Sequence, residues 1–166
     1  MRNSILAMTL LAWSGLSVAA AELTLNFDDP KGFTDVRPTN DTRSRYSERV
    51  VAAFTDSFNE LAAEMPAGYK WQVTVTDIDL AGDVDYFAGP AGQALRIVKD
   101  IHSPAIRFTH QLLDASGQTV LSGEVKERDM GFLQRLGRAN SRKEFEFEHK
   151  MLEDWFKKTV KPALND

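Results

Sequence analysis

The sequence predicts an α+β fold of two layers: a mostly antiparallel sheet with both helices packed on one face. Three observations carry this. Several segments alternate apolar and polar residues with the strand period. Two segments instead repeat apolar residues every three to four positions, one after the first strand and one near the C-terminus. The element order is therefore β-α-β-β-β-α, and helices that are apolar on one side only bury that side most simply against a single sheet face.

Each element has its own signature. Glu22 to Phe27 sets Leu23, Leu25 and Phe27 on one face of a strand, and Asp28-Asp29-Pro30-Lys31-Gly32 ends it. A polar loop runs to about Tyr46. Val51, Phe54, Phe58, Leu61 and Met65 then form a helical stripe, stopped by Pro66-Ala67-Gly68. Helix-spaced phenylalanines of this kind are core. Trp71, Val73 and Val75 alternate in a second strand that continues to Leu80 and breaks at Ala81-Gly82. After a loop rich in Gly, Asp and Pro, alternation resumes from Leu95 to Ile101 and again from Ile106 to Leu112, interrupted by Pro104. This reads as one long strand kinked at the proline. Ala115-Ser116-Gly117 is a hairpin turn, and the return strand runs from Gln118 to about Arg128. An irregular stretch to Arg142 precedes a last helix, about Lys143 to Lys161, with a stripe of Phe145, His149, Leu152, Phe156 and Val160 and Trp155 beside it.

Ahead of these elements lies an export signal. Arg2 is followed by an apolar run from Ile5 to Leu16 and the small residues Ser17-Val18-Ala19-Ala20-Ala21, which predicts a cleavable leader over 1–21, cut near Ala21. The run is shorter than the ~20 residues a membrane-spanning helix needs. The chain has no cysteine, so it carries neither a lipoprotein anchor nor a disulfide. About 145 residues remain in 22–166, one domain by length, and stability has to come from packing. The net charge of −4, one unit more acidic once Arg2 is removed, argues against nucleic-acid binding. The expected location is periplasmic.

If the first two long strands share the sheet, the crossover between them makes them parallel. The loops after Phe27, Leu80 and Arg128 then emerge at one end of the domain, where long loops on a rigid scaffold often carry function. A candidate loop site follows: Asp35, Asp77, Asp79, Asp129 and Arg135. Loop carboxylates in pairs, Asp79 with Asp129 or Asp35 with either, are the equipment of a glycan hydrolase, which needs two carboxyls flanking a sugar-sized groove. Asp residues in such places more often cap turns. Asp77, Asp79, Asp83 and Asp85 around Gly82 partly match a calcium loop, but Ala81 and Ala88 stand where the template needs ligands. Arg135, Arg138, Arg142 and Lys143 form a basic stretch that suits phosphate groups, read here as a solvated loop. His102, His110 and His149 lack zinc spacing, and His110 reads as a hydrogen-bonded core residue. No serine elbow, Walker loop or dinucleotide fingerprint is present, so no cofactor and no metal are expected.

Several pieces of the chain belong together: Phe33-Thr34-Asp35, Asp77-Ile78-Asp79-Leu80-Ala81-Gly82, Arg96-Ile97-Val98-Lys99-Asp100, Ser103-Pro104-Ala105-Ile106, Ser122-Gly123-Glu124, Asp129-Met130-Gly131-Phe132-Leu133, and Phe147 to Leu152 with Asp154-Trp155-Phe156. On this set the sequence resembles the DUF3016 family of uncharacterised exported bacterial proteins. Phe147-Glu148-His149 departs from a Tyr-Glu-Lys-like triplet. The resemblance implies a periplasmic location in a Gram-negative bacterium and supplies no activity. The expected function is that of a non-enzymatic binding or accessory protein of the cell envelope, its partner an envelope protein or glycan. A carboxylate-dependent hydrolase and a Ca²⁺-binding accessory protein are the alternatives.

Overall fold

The protein is described by a computed structural model covering residues 21–134 and 144–164. The leader over 1–21, Ala21 apart, and Arg135 with the basic stretch around it lie outside the described residues. Six strands and two helices follow in the order β1 (Glu22–Phe27), α1 (Arg43–Ala62), β2 (Lys70–Asp79), β3 (Asp83–Asp85), β4 (Leu95–Ile97), β5 (Ala105–Leu113), β6 (Thr119–Arg128) and α2 (Glu146–Ala163). The main sheet has the order β1-β2-β5-β6, with β1 parallel to β2 and the other pairs antiparallel. The α+β architecture is the expected one.

Both helices cover the same sheet face. Trp71 on β2 meets Phe58 of α1 at 5.5 Å between ring centroids, and Phe156 and Trp155 of α2 at 5.9 and 6.4 Å. Phe108 on β5 adds edge contacts to Phe58 and Trp155. Full burial of each such side chain contributes about 1.5–3 kcal/mol, enough to hold a fold without a disulfide. The opposite face carries polar rows, Thr24-Gln72-Gln111-Ser122 and Asn26-Thr74-Thr109-Glu124, as alternating strands with one solvated face require.

Three elements differ from the sequence reading. The stretch from Leu95 to Leu113 is not one kinked strand. Leu95–Ile97 pairs with Asp83–Asp85 in a separate two-stranded ribbon, and only β5 joins the main sheet. The cause is Gly82: at φ +82° it reverses the chain right after β2 and pairs its N–H with the His102 carbonyl, which folds 83–102 out as its own unit. Helix α1 begins at Arg43 rather than after Tyr46, because the Thr42 side chain accepts from the Arg45 N–H and caps it. Its buried stripe is therefore Tyr46, Val50, Phe54, Phe58 and Leu61, with Val50 in place of Val51. Helix α2 starts at Glu146, after Phe145 in the left-handed region, and buries Glu148, Met151, Leu152, Trp155, Phe156 and Val160. His149 instead bridges the helices, with Nδ1 3.0 Å from Ser57 Oγ. His110 is in the core, as expected, but its Nδ1 has no hydrogen-bond partner among the described residues. Burial lowers its pKa, disfavouring the charged ring.

Candidate functional site

The loops after β1, β2 and β6 meet at one end of the sheet. Asp35 bridges to Asp79 in parallel register and donates its N–H to the Ile78 carbonyl. Asp129 donates its N–H to Pro104, and Arg128 reaches Asp79 at 2.8 Å. Asp35, Asp77, Asp79 and Asp129 are thus gathered at this end, while Arg135 lies outside the described residues.

Once gathered, these carboxylates are occupied. Asp77 accepts from the Thr34 N–H and hydroxyl at 2.7 and 2.8 Å, which pins the loop after β1. Asp79 is held by Arg128, whose other contacts go to Ser103. Asp129 is buried and accepts from the Gly131 N–H at 3.0 Å, the geometry of an Asx turn. Asp35 is buried between two guanidiniums, Arg96 at 2.6 Å and Arg37 at 3.1 Å.

Arg96 is the centre of a wider knot that the sequence did not disclose. Placed on β4, it donates to Asp35, to the carbonyls of Ala81 and Gly82, and to the Arg37 carbonyl. Burial by itself would lower its pKa, but the hydrogen bond and charge of Asp35 outweigh that and raise it. Glu148, in the first turn of α2, accepts from the Ala81 N–H at 2.7 Å. Burial raises the Glu148 pKa, against the pull of the Ala81 N–H and the Arg96 charge. Tyr46 completes the group; burial raises its phenol while nearby Arg96 opposes the shift. The knot ties the loop after β1, helix α1, the turn after β2, the ribbon and helix α2 together. Its carboxylates face cations and backbone donors rather than a groove.

The knot holds up the β3–β4 ribbon, and the ribbon is where open chemistry lies. Among the described residues, five of the six large exposed apolar side chains are on it or beside it: Tyr86, Phe87, Leu95, Val98 and Ile101, with Phe87 at 86% and Ile101 at 75% exposure. The sixth, Met130, follows Asp129 in the loop after β6. Beside the ribbon is a groove of about 350 Å³ whose lining includes Asp83, Asp85, Tyr86, Phe87, Lys99 and His102. A volume in this range holds a small ligand. The ribbon is tied to the domain by the buried Val84 and by Arg37, which pairs with Asp83 at 3.4 Å.

The four carboxylates of the partial calcium loop do not converge. Asp77 goes to Thr34, Asp79 to Arg128, Asp83 to the Val84 N–H and Arg37, and Asp85 to the Phe87 N–H. Among the described residues no group of three or more His, Cys, Asp or Glu is placed to hold a metal ion. Two signals for the missed residues stood in the sequence. Arg96 is a cation set between the apolar Leu95 and Ile97. Tyr86-Phe87 is an aromatic pair in a Gly, Asp and Pro-rich loop, with no periodic partner that would make it core.

Among the described residues no helix is long and apolar enough to cross a membrane. The family model described as "Protein of unknown function (DUF3016)" matches residues 21–158, most of the chain. No curated protein and no solved structure matches it.

Proposed function

Since the chain belongs to the DUF3016 family, whose function is unknown, we propose its role from its geometry: an exported, periplasmic binding protein of the cell envelope that acts without catalysing a reaction and recognises its partner with the β3–β4 ribbon. The observation that carries this is the division of labour at the loop end. Asp35 holds the ribbon through Arg96, the other loop carboxylates are engaged by Thr34, Arg128 and Gly131, and the ribbon exposes aromatic and aliphatic side chains that the core does not use. Exposed apolar groups concentrated on one element mark an interaction surface. The leader read over 1–21, ahead of a mature unit 22–166, supports a periplasmic setting for that surface, with an envelope protein or glycan as its partner. A hydrolase reading is less favoured, because Asp35, Asp79 and Asp129 are engaged by cations or backbone donors instead of flanking a groove.

The test is co-sedimentation of the purified mature protein with isolated envelope fractions. The wild type is expected to pellet with them, and Phe87→Ala and Ile101→Asp to remain in the supernatant while keeping wild-type thermal stability. Equal pelleting of all three proteins, or none by the wild type, would overturn the reading.

A further inference from the structure

Resting on that binding role, we infer that the groove beside the ribbon is a glycan subsite that takes a pyranose ring. Its lining combines three features. First, Phe87 and Tyr86 offer aromatic faces that packing within the chain leaves exposed. A pyranose has a flat face of C–H groups that stacks on such a ring, and aromatic side chains with one wet side suit that contact.

Second, the polar groups in the groove have capacity to spare. Asp83 and Asp85 each engage one oxygen, Oδ1, leaving Oδ2 without a partner among the described residues. Among those residues the Lys99 ammonium and the His102 ring also make no hydrogen bond or ion pair. The groove therefore presents both unused acceptors and unused donors.

Third, the two signs of charge discriminate between ligand classes. A phosphate or other anion drawn to Lys99 meets the Asp83 and Asp85 carboxylates in the same groove. A polyamine drawn to the carboxylates meets Lys99. Like-charge juxtaposition disfavours both. A sugar hydroxyl donates to a carboxylate and accepts from an ammonium, so a neutral polyhydroxy ring satisfies every group at once. The groove volume fits one ring with a neighbour projecting into solvent, which is how a subsite on a long glycan is used.

The experiment is a two-dimensional amide NMR titration of the mature protein with maltotriose, tri-N-acetylchitotriose and lactose, each carried to about 20 mM, well above a Kd of about 1 mM. At least one sugar is expected to shift the amides of 83–87 and 97–102 in a saturable way. Phe87→Ala should weaken that binding roughly tenfold, the size of one lost aromatic stacking contact. Asp85→Asn should weaken it less, and Thr109→Ala, on the polar sheet face, should leave it unchanged. None of these side chains supports the core, so unchanged thermal stability of the variants excludes unfolding as the cause. No groove shifts with any of the three sugars, or a Kd unchanged in Phe87→Ala, would overturn the inference. Envelope co-sedimentation separates this failure from failure of the binding role. If the wild type pellets through Phe87, no sugar shifts the groove, and protease treatment of the envelopes abolishes pelleting, the ligand is a protein and the glycan assignment alone falls.

Discussion

Replacing Arg96 with Met keeps the bulk of the side chain on β4 and removes its charge. The wild-type guanidinium lies 2.6 Å from Asp35, whose side chain is 4% exposed, and the arginine itself is 18% exposed. Removing one partner of a buried ion pair costs about 3–5 kcal/mol, because the other charge is left uncompensated. Arg37 still donates to the second Asp35 oxygen at 3.1 Å, which reduces that figure. The carbonyls of Ala81, Gly82 and Arg37 each lose a donor, which adds back about 1 kcal/mol. The balance is a loss of about 3 kcal/mol, a large part of the 5–15 kcal/mol a domain has in all and worth roughly 10 °C in Tm. Urea unfolding followed by tryptophan fluorescence reads it directly, since Trp71 and Trp155 are both buried in the core. The variant should lower the midpoint at unchanged m value. The double variant with Asp35→Asn should lose about 2 kcal/mol less than the two single losses combined, because it leaves no orphaned charge. A cost below about 1 kcal/mol, or simple additivity, refutes the idea that Arg96 is the tie that anchors the ribbon.

Three other perturbations follow from the same geometry. The buried Glu148 carboxyl has its folded pKa raised above the ordinary value of 4.5, so the folded state binds its proton more tightly than the unfolded chain does. Its contribution to stability is full below the unfolded pKa and is lost as pH rises through the folded one. Glu148→Gln keeps an acceptor for the Ala81 N–H and should flatten this part of the stability–pH curve. An unchanged slope above pH 4.5 in paired urea titrations would contradict it. A Cβ at Gly82 would lie 2.6 Å from the Ile97 carbonyl, at a φ of +82°, so Gly82→Ala should cost about 2–3 kcal/mol and speed hydrogen exchange in the ribbon; unchanged ribbon protection counts against it. Asp79→Ala removes a partly exposed pair and should cost under about 1 kcal/mol, whereas Asp129→Ala strips a buried turn and should cost about 1–2 kcal/mol; the reverse order in thermal melts would move Asp79 to the load-carrying role.

What the sequence disclosed was whatever is written in local period. Trp71, Val73 and Val75 announced β2, Ile106 to Leu112 announced β5, and Phe54, Phe58 and Leu61 announced the buried side of α1. The parallel crossover from β1 to β2 then implied, correctly, that the loops carrying Asp35, Gly82 and Asp129 share one end. The ribbon was hidden because Leu95 to Ile101 alternates as well as any sheet strand does. Only the reversal at Gly82 and its bond to His102 decide which partner Leu95–Ile97 takes. The roles within the site were hidden for a related reason. Whether Asp35 meets a ligand or a guanidinium depends on Arg96, 61 positions away, and no local pattern encodes that pairing. Glu148 reads as one acid on a helix until α2 docks and sets it against Ala81.

The ribbon and the polar sheet face are the two surfaces on which the domain could meet its partner. A photo-reactive amino acid placed in turn at positions 87, 101 and 109, followed by irradiation of living cells and inspection of the protein for adducts, tests this most directly. Positions 87 and 101, on and beside the ribbon, should yield a discrete shifted species, and position 109, on the polar sheet face, should yield none. Adducts from position 109 with none from the other two would show that the sheet face does the recognising and that the ribbon does not.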